Sequence, residues 1–445
     1  MVQFRENYYA DVRTENRFTT EISYQDGTLE EYKVRTEVRA FLRVYDGAMW
    51  YYASVTDLND LQAVLDSLYN TATPNPAILE HPTIRRLERS IAHENNFVDC
   101  SVRDIPTTEK DALLRSFLPL LAEDPCMSMP HGSYVDRSSH FTFMSSLGAD
   151  VSYDYQTCGV SLRCSMVEGE KKFSAFWSRG ETQFEALTKL KDEVRASMQE
   201  QADFMRRSKA VTAGNYPVVL SPMAAGVFAH ESFGHKSESD FMLSDESMRE
   251  EWKLGKKVGA DMLSIVDCGM QPGSGYVPYD DEGTKARKNY LIKNGVLAGR
   301  LHNAQTAAAL DEGLTGNARA IDCTFEPIVR MTTTYIEGGD LTFEELIAPI
   351  QKGYYIKTIS HGSGMSTFTI APAVAYEIVD GKLGDPVQIS VLTGNVFETL
   401  HLIDGLTKDV ELLSFVLGGC GKMEQMNLPV GFGGPYVRVS SMNVQ

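Results

Sequence analysis

The chain has 445 residues, 43% hydrophobic and 23% charged, with a formal net charge of −18. That length predicts two or three domains with ample apolar material for their cores. The charge argues against nucleic acid as the main partner, because phosphate binding wants a basic face. No apolar run approaches the ~20 residues that a bilayer span needs. The first residues lack the basic-then-apolar pattern of a secretory signal. The protein therefore reads as cytoplasmic, with neither membrane nor nucleic acid as partner. Seven cysteines without CxxC pairs read as reduced, mostly buried thiols.

In chain order, residues 1–55 alternate polar and apolar positions around Asp26-Gly27 and Asp46-Gly47, which predicts a small antiparallel meander. Thr56 is expected to cap a helix reaching about Tyr69. A Pro- and Asn-rich stretch follows (73–82), then helical runs at 84–94 and 108–123. His140 to Trp177 reads as short alternating strands. Glu181 to Lys209, with Phe184, Leu187, Leu190, Val194 and Met198 at helical spacing, reads as one long helix. Val211 to Asn215 breaks that pattern, so the predicted division is an N-terminal α+β domain, 1–210, and a C-terminal domain, 211–445. The second opens with a strand (216–220) and a helix (224–235). Beyond Leu254, Asn294-Gly295, Gly338-Gly339, Asp380-Gly381 and Gly394-Asn395 predict hairpins, and Thr342 with Glu345 forms a capping box. The expected fold class is α+β, with a largely antiparallel, β-rich second domain.

The chemistry concentrates at His230-Glu231-Ser232-Phe233-Gly234-His235. Neutral imidazole is a good donor for Zn²⁺, and a nearby carboxylate can take the proton of a water that the metal activates. Zincins carry their histidines at i and i+4. Here the spacing is i and i+5, which an α-helix would place about 140° apart. A π-type turn would realign the rings, and Gly234 offers a place for the helix to break. A catalytic zinc needs a third protein ligand. The other histidines, the acidic residues and the cysteines are all candidates. Leu417-Gly418-Gly419-Cys420-Gly421-Lys422 stands out, since glycines let backbone approach closely and Lys422 would lower the thiol pKa. A glycine-rich turn with an incidental cysteine fits the same residues.

The second domain resembles the TldD/PmbA family, also described as modulators of DNA gyrase. The matching stretches include VVLSPMAAGVFAHESFGHKSESDF (218–241), PYDDEGT (278–284), TGNAR (315–319), PIVRMTTTYIEGG (327–339) and GGCGKMEQMNLPVGFGGPYVRV (418–439). The intact HExxxH resembles the TldD branch. The resemblance implies zinc held by His230, His235 and Cys420, with Glu231 as the catalytic carboxylate. It also implies linear or unstructured peptides as substrates, cleaved without ATP, and a dimer. The partner would be a second copy or a PmbA-like (TldE) chain lacking the motif. One departure is visible: the family reads GKDGQ where this chain has Gly421-Lys422-Met423-Glu424-Gln425.

The expected activity is a zinc metalloprotease with Glu231 as general base. A hairpin-rich domain can offer a sheet edge to an extended peptide. The competing class is a metal-bearing regulatory or protein-binding factor without turnover, for which the carboxylate at 231 would have no use. Asp280-Asp281-Glu282 reads as a solvated turn. Arg330 with Thr332, Thr333 and Thr334 reads as the exposed face of a strand. His361 reads as a loop residue that could stabilise an oxyanion, and His93-Glu94 as surface helix.

Overall fold

The computed structural model describes residues 2–364, 366–414 and 417–445. The first 181 residues build one seven-stranded sheet. Its order is 50–55, 28–45, 9–25, 127–145, 150–168 and 91–94, with 171–181 also on 150–168. Asp26 and Gly27 both take positive φ (49° and 76°) between strands Tyr9–Gln25 and Thr28–Tyr45. That backbone matches the twist of a two-residue hairpin. The meander is present but not small, since these strands run 17 and 18 residues. The strands Met127–Ser145 and Asp150–Glu168 are 19 residues each, longer than the short strands expected.

Helices Leu61–Thr71, Thr107–Phe117 and Lys191–Arg207 accompany the sheet. Three sequence expectations shift here. Asp60, whose carboxylate accepts from the Ala63 amide, caps the first helix in place of Thr56. The run 84–94 is helical only over Pro82–Arg86; Leu87 is extended, and Ile91–Glu94 joins a parallel ladder with 150–153. His93 and Glu94 therefore lie on a strand. The long helix from Glu181 is shorter than expected, because Glu181 pairs with Cys158 in the sheet and only a single turn at Phe184–Leu187 precedes Lys191.

From residue 209 onward the strands form separate sheets. An eight-stranded sheet includes 352–364, 214–220, 437–444, 392–395 and 367–379, and pairing of 352–364 with 367–379 closes these five into a ring. A six-stranded sheet runs 296–297, 288–293, 265–268, 333–336, 431–434 and 411–414. Most pairings are antiparallel; 354–356 with 218–220 and 333–335 with 431–433 are parallel. The fold is α+β, as expected. Asn294-Gly295 and Asp380-Gly381 turn hairpins with positive φ. Gly338-Gly339 does not. A side chain at Gly339 would press on Leu406, so glycine serves a close backbone approach there. Asn395 instead caps helix Val396–His401 through the Glu398 amide. Thr342 and Glu345 make the capping box.

The acidic run at 280–282 is not a solvated turn. Asp280 is buried and accepts from the amides of Glu282, Thr284 and Ala318. Asp281 pairs with Arg13 at 3.0 Å. Glu282 reaches Arg43 at 3.4 Å, and Arg43 grips Asp11 at 2.7 Å. Beside these pairs Tyr9, Tyr45, Ile78 and Ile84 pack with Ala304, Ala307 and Leu314. Six of the seven cysteines are buried and all are free thiols; Cys100 is exposed.

Candidate metal centre

The strand Gly214–Leu220 delivers the chain to Ser221, whose hydroxyl accepts from the Ala224 amide and donates to Lys357 O at 2.8 Å. Pro222 occupies the first turn, where its missing N–H leaves nothing unsatisfied. Helix Pro222–Ala229 is built of small residues, and at Gly226 a Cβ would overlap the backbone of Gly433. At His230 the helix widens into a π turn over His230–Gly234, followed by a 3₁₀ turn at His235–Ser237. The extra residue does what the spacing required: the two imidazoles face the same space, with ring centroids 5.2 Å apart. Gly234 is not a break. Its backbone is helical, and its missing side chain makes room for Met331, whose sulfur a Cβ would overlap.

Cys420 begins a two-stranded hairpin, Cys420–Lys422 with Gln425–Leu428. Gly419 passes so close to Leu428 O and Asn427 that a Cβ would collide. The close approach inferred from the glycines is therefore to the hairpin's own second strand. Met423 turns this hairpin in a left-handed conformation (φ 54°), and Gln425 holds it through the Ile321 amide and Glu326 O. The departure from GKDGQ thus alters an exposed turn and leaves the hairpin intact.

One donor atom from each of His230, His235 and Cys420 lies within 4.8 Å of the others. Cys420 Sγ is 3.4 Å from His235 Nε2. Burial alone would raise the Cys420 pKa, but hydrogen bonds from His230 and His235 outweigh it and bring the thiol down to about 5. Burial likewise opposes a charged His235, yet its bonds to Cys420 and Glu238 lift it to about 10. Both shifts describe one thiolate–imidazolium pair. Lys422, expected to activate the thiol, does something else. It pairs with Asp240 at 2.7 Å and Glu238 at 3.1 Å, and donates to Val329 O.

Glu238 is fully buried and reaches His235 Nδ1 at 3.2 Å. Burial would raise its carboxyl pKa, but His235 and then Lys422 hold it below the usual range. Arg330, expected on an exposed strand face, is buried and donates to Cys420 O (2.8 Å) and Gln425 O (3.2 Å). Thr332 and Thr334 are also buried and donate to Asp267. The sequence offers Arg330 only as a residue that could line a peptide groove or face solvent, and it does not single out Glu238. Glu238, three residues past a candidate ligand, was the one visible signal. Glu231 is half-buried at the start of the π turn, beneath the 352–379 hairpin, where a Cβ on Gly362 would sit 3.6 Å from its Cγ. His361 lies exposed on the same hairpin and is not part of the cluster.

Two imidazoles and a thiolate, converging on an α+β scaffold with a carboxylate beside them, define a metallopeptidase type of site. Residues 213–445 match the model of the PmbA/TldA metallopeptidase C-terminal domain, and 10–72 that of domain 1. The chain is 30% identical over 442 residues to a metalloprotease of Methanothermobacter thermautotrophicus, covering 98% of this chain and 95% of the relative. It is 31% identical over 320 residues to a zinc metalloprotease TldD homolog of Saccharolobus solfataricus, covering 70% of each. Its fold is shared with a modulator of a DNA gyrase from Thermotoga maritima (TM-score 0.79, 19% identity, 98% of this chain, 96% of that one). TldE from Thermococcus kodakarensis shares it too (TM-score 0.76, 15% identity, 98% and 96%). The chain belongs to the PmbA/TldA metallopeptidase family. Among the described residues no helix is long and apolar enough to cross a membrane.

Proposed function

We propose that the chain is a zinc-dependent peptidase in which His230, His235 and Cys420 hold the ion and Glu231 is the general base. The observation that carries this reading is the convergence of the three donor atoms within 4.8 Å, achieved by a π turn. The residues fit the metal. Sulfur and nitrogen donors suit Zn²⁺, three protein ligands leave a position open, and His230 Nδ1 is buried without a partner. When bound, zinc supplies a Lewis acid that polarises the scissile carbonyl and acidifies water. Glu231 then accepts the proton of the attacking water and passes it to the leaving amine. Glu238 accepts the hydrogen bond of His235 Nδ1–H, which leaves Nε2 free to ligate, and Lys422 balances the charge of Glu238.

Substrates are linear or unstructured peptides, cleaved without ATP, docked in extended form by main-chain pairing. The division at residue 210 makes 211–445 the peptidase domain and 1–210 a domain that helps wall the site. Support comes from the sheets, since no strand before 181 pairs with one after 209 among the described residues. The functional unit is a dimer, either of this chain or with a TldE-like partner. The reading is tested by metal content: about one zinc per chain in the parent, lost in Cys420→Ser. Unchanged zinc in that variant removes Cys420 from the site.

A further inference from the structure

The N-terminal sheet turns one face toward the second half of the chain, and between them lies a small, partly open cleft. Alternation along the strands places Glu15 and Arg17, Arg137 and Phe141, and Tyr155 on its walls, and Arg319 comes from the other side. The charges do not balance. Glu15 is consumed by Arg17 (2.9 and 2.8 Å), Ser139 and Tyr155. Asp281 is held by Arg13 and Asp322 by Arg39. Arg319 spends its donors on the carbonyls of Met331 and Pro429, and burial together with Arg330 pushes its guanidinium pKa down. Arg137 has no partner at all: its Nε is buried without an acceptor, and no carboxylate among the described residues forms an ion pair with it. With their pairing partners counted, five guanidinium groups (Arg13, Arg17, Arg39, Arg137, Arg319) thus meet four carboxylates (Glu15, Glu37, Asp281, Asp322) inside a protein of net charge −18.

Arg137 is half-buried, its sealed Nε lacks an acceptor, and a guanidinium fork matches a carboxylate in two parallel bonds. We propose that this cleft binds a carboxylate carried on an apolar or aromatic body, with Arg137 receiving the charge and the aromatic walls the body. The carboxylate could belong to the C-terminus of a peptide or to a free small organic acid. The inference stands apart from the metal assignment, because its readout is binding alone.

The test is calorimetric titration of the full, zinc-loaded chain with three probes: N-acetyl-Leu-Phe as acid, the same peptide as amide, and phenylacetate. The free-acid peptide is expected to bind ~10–100-fold tighter than the amide, and Arg137→Met to lose the same factor. Arg137→Gln, which keeps a polar hydrogen-bonding side chain without the charge, is expected to behave as Met does. Neither variant should unfold at lower temperature, since no partner is lost. Tighter binding of the peptide acid than of phenylacetate assigns a chain terminus; the reverse assigns a free acid. Equal binding of acid and amide, parental affinity in both variants, or no binding of either acid by the parent overturns the proposal. A fall of several degrees in both variants would make Arg137 a structural residue and overturn it equally.

Discussion

Glu231 and Glu238 are two carboxylates seven residues apart in the chain, one half-buried and one sealed, and they predict opposite phenotypes. Glu231→Gln should keep its zinc and lose peptide hydrolysis by ~10²–10⁴-fold, the usual worth of a general base; parental turnover would end that assignment. Glu238→Gln should instead weaken zinc affinity, by about 10–100-fold, measured by competition with a chromophoric chelator. The thiolate–imidazolium pair also sets a pH window. The raised His235 pKa contributes stability that is full below 6.5 and lost as pH rises through about 10; the lowered Cys420 pKa contributes stability present above 9 and lost as pH falls through about 5. In the metal-free chain the two contributions overlap between about pH 5 and 10, so stability from the pair should be greatest within that window and fall towards either end as one of the two is lost. Zinc needs a neutral imidazole, so binding must expel a proton from His235. At pH 9 calorimetry in two buffers should report close to one proton released. An unpaired thiol of pKa 9.0 would give roughly half.

At the scale of single elements, the hairpin 420–428 is a two-stranded sheet of its own, and Arg330 ties both its strands down. Arg330→Met would leave the Cys420 and Gln425 carbonyls unsatisfied, a loss of about 2–5 kcal/mol, read by denaturant unfolding of the metal-free chain. Unchanged stability would show that the hairpin holds itself. The same element shows what could be read in advance. Paired histidines and Asp-Gly or Asn-Gly turns are local signals, and residues 26–27, 294–295 and 380–381 turn as they should. Gly338-Gly339 and Gly394-Asn395 mislead because one serves a contact distant in sequence and the other a helix cap. Arg330 acts through Cys420, ninety residues away in the chain, and Glu238 meets Lys422 still farther off, so a local window shows only the bond of Glu238 to His235. Cys420 stood out only by its glycines, and the family resemblance, more than its surroundings, made it a candidate ligand.

Over the whole molecule, the two halves are joined by buried charges more than by strand pairing. Arg43 holds Asp11 and Glu282 together, and both carboxylates are almost wholly buried. Arg43→Met should destabilise by about 3–5 kcal/mol, because two buried carboxylates lose their cation. Urea unfolding checks this, and a loss under 1 kcal/mol would mean that water reaches the interface. Burial already raises the Glu282 pKa against the pull of Arg43. In the variant that carboxyl should therefore be protonated at higher pH than in the parent, and the deficit should narrow on acidification.

The π turn at 230–234 also has a consequence for length. It is a helix holding one residue more in its turn than an α-helix would. Removing one residue between Glu231 and His235 would let the turn relax to α and set the imidazoles at i and i+4, the spacing of the zincins. Glu238 would travel with His235, being three residues beyond it, whereas the seat of Gly234 against Met331 would be lost. A single deletion would therefore bring the histidine spacing to that of the zincins at the loss of one packing contact, while the third donor, a cysteine here, would still set the two kinds of site apart.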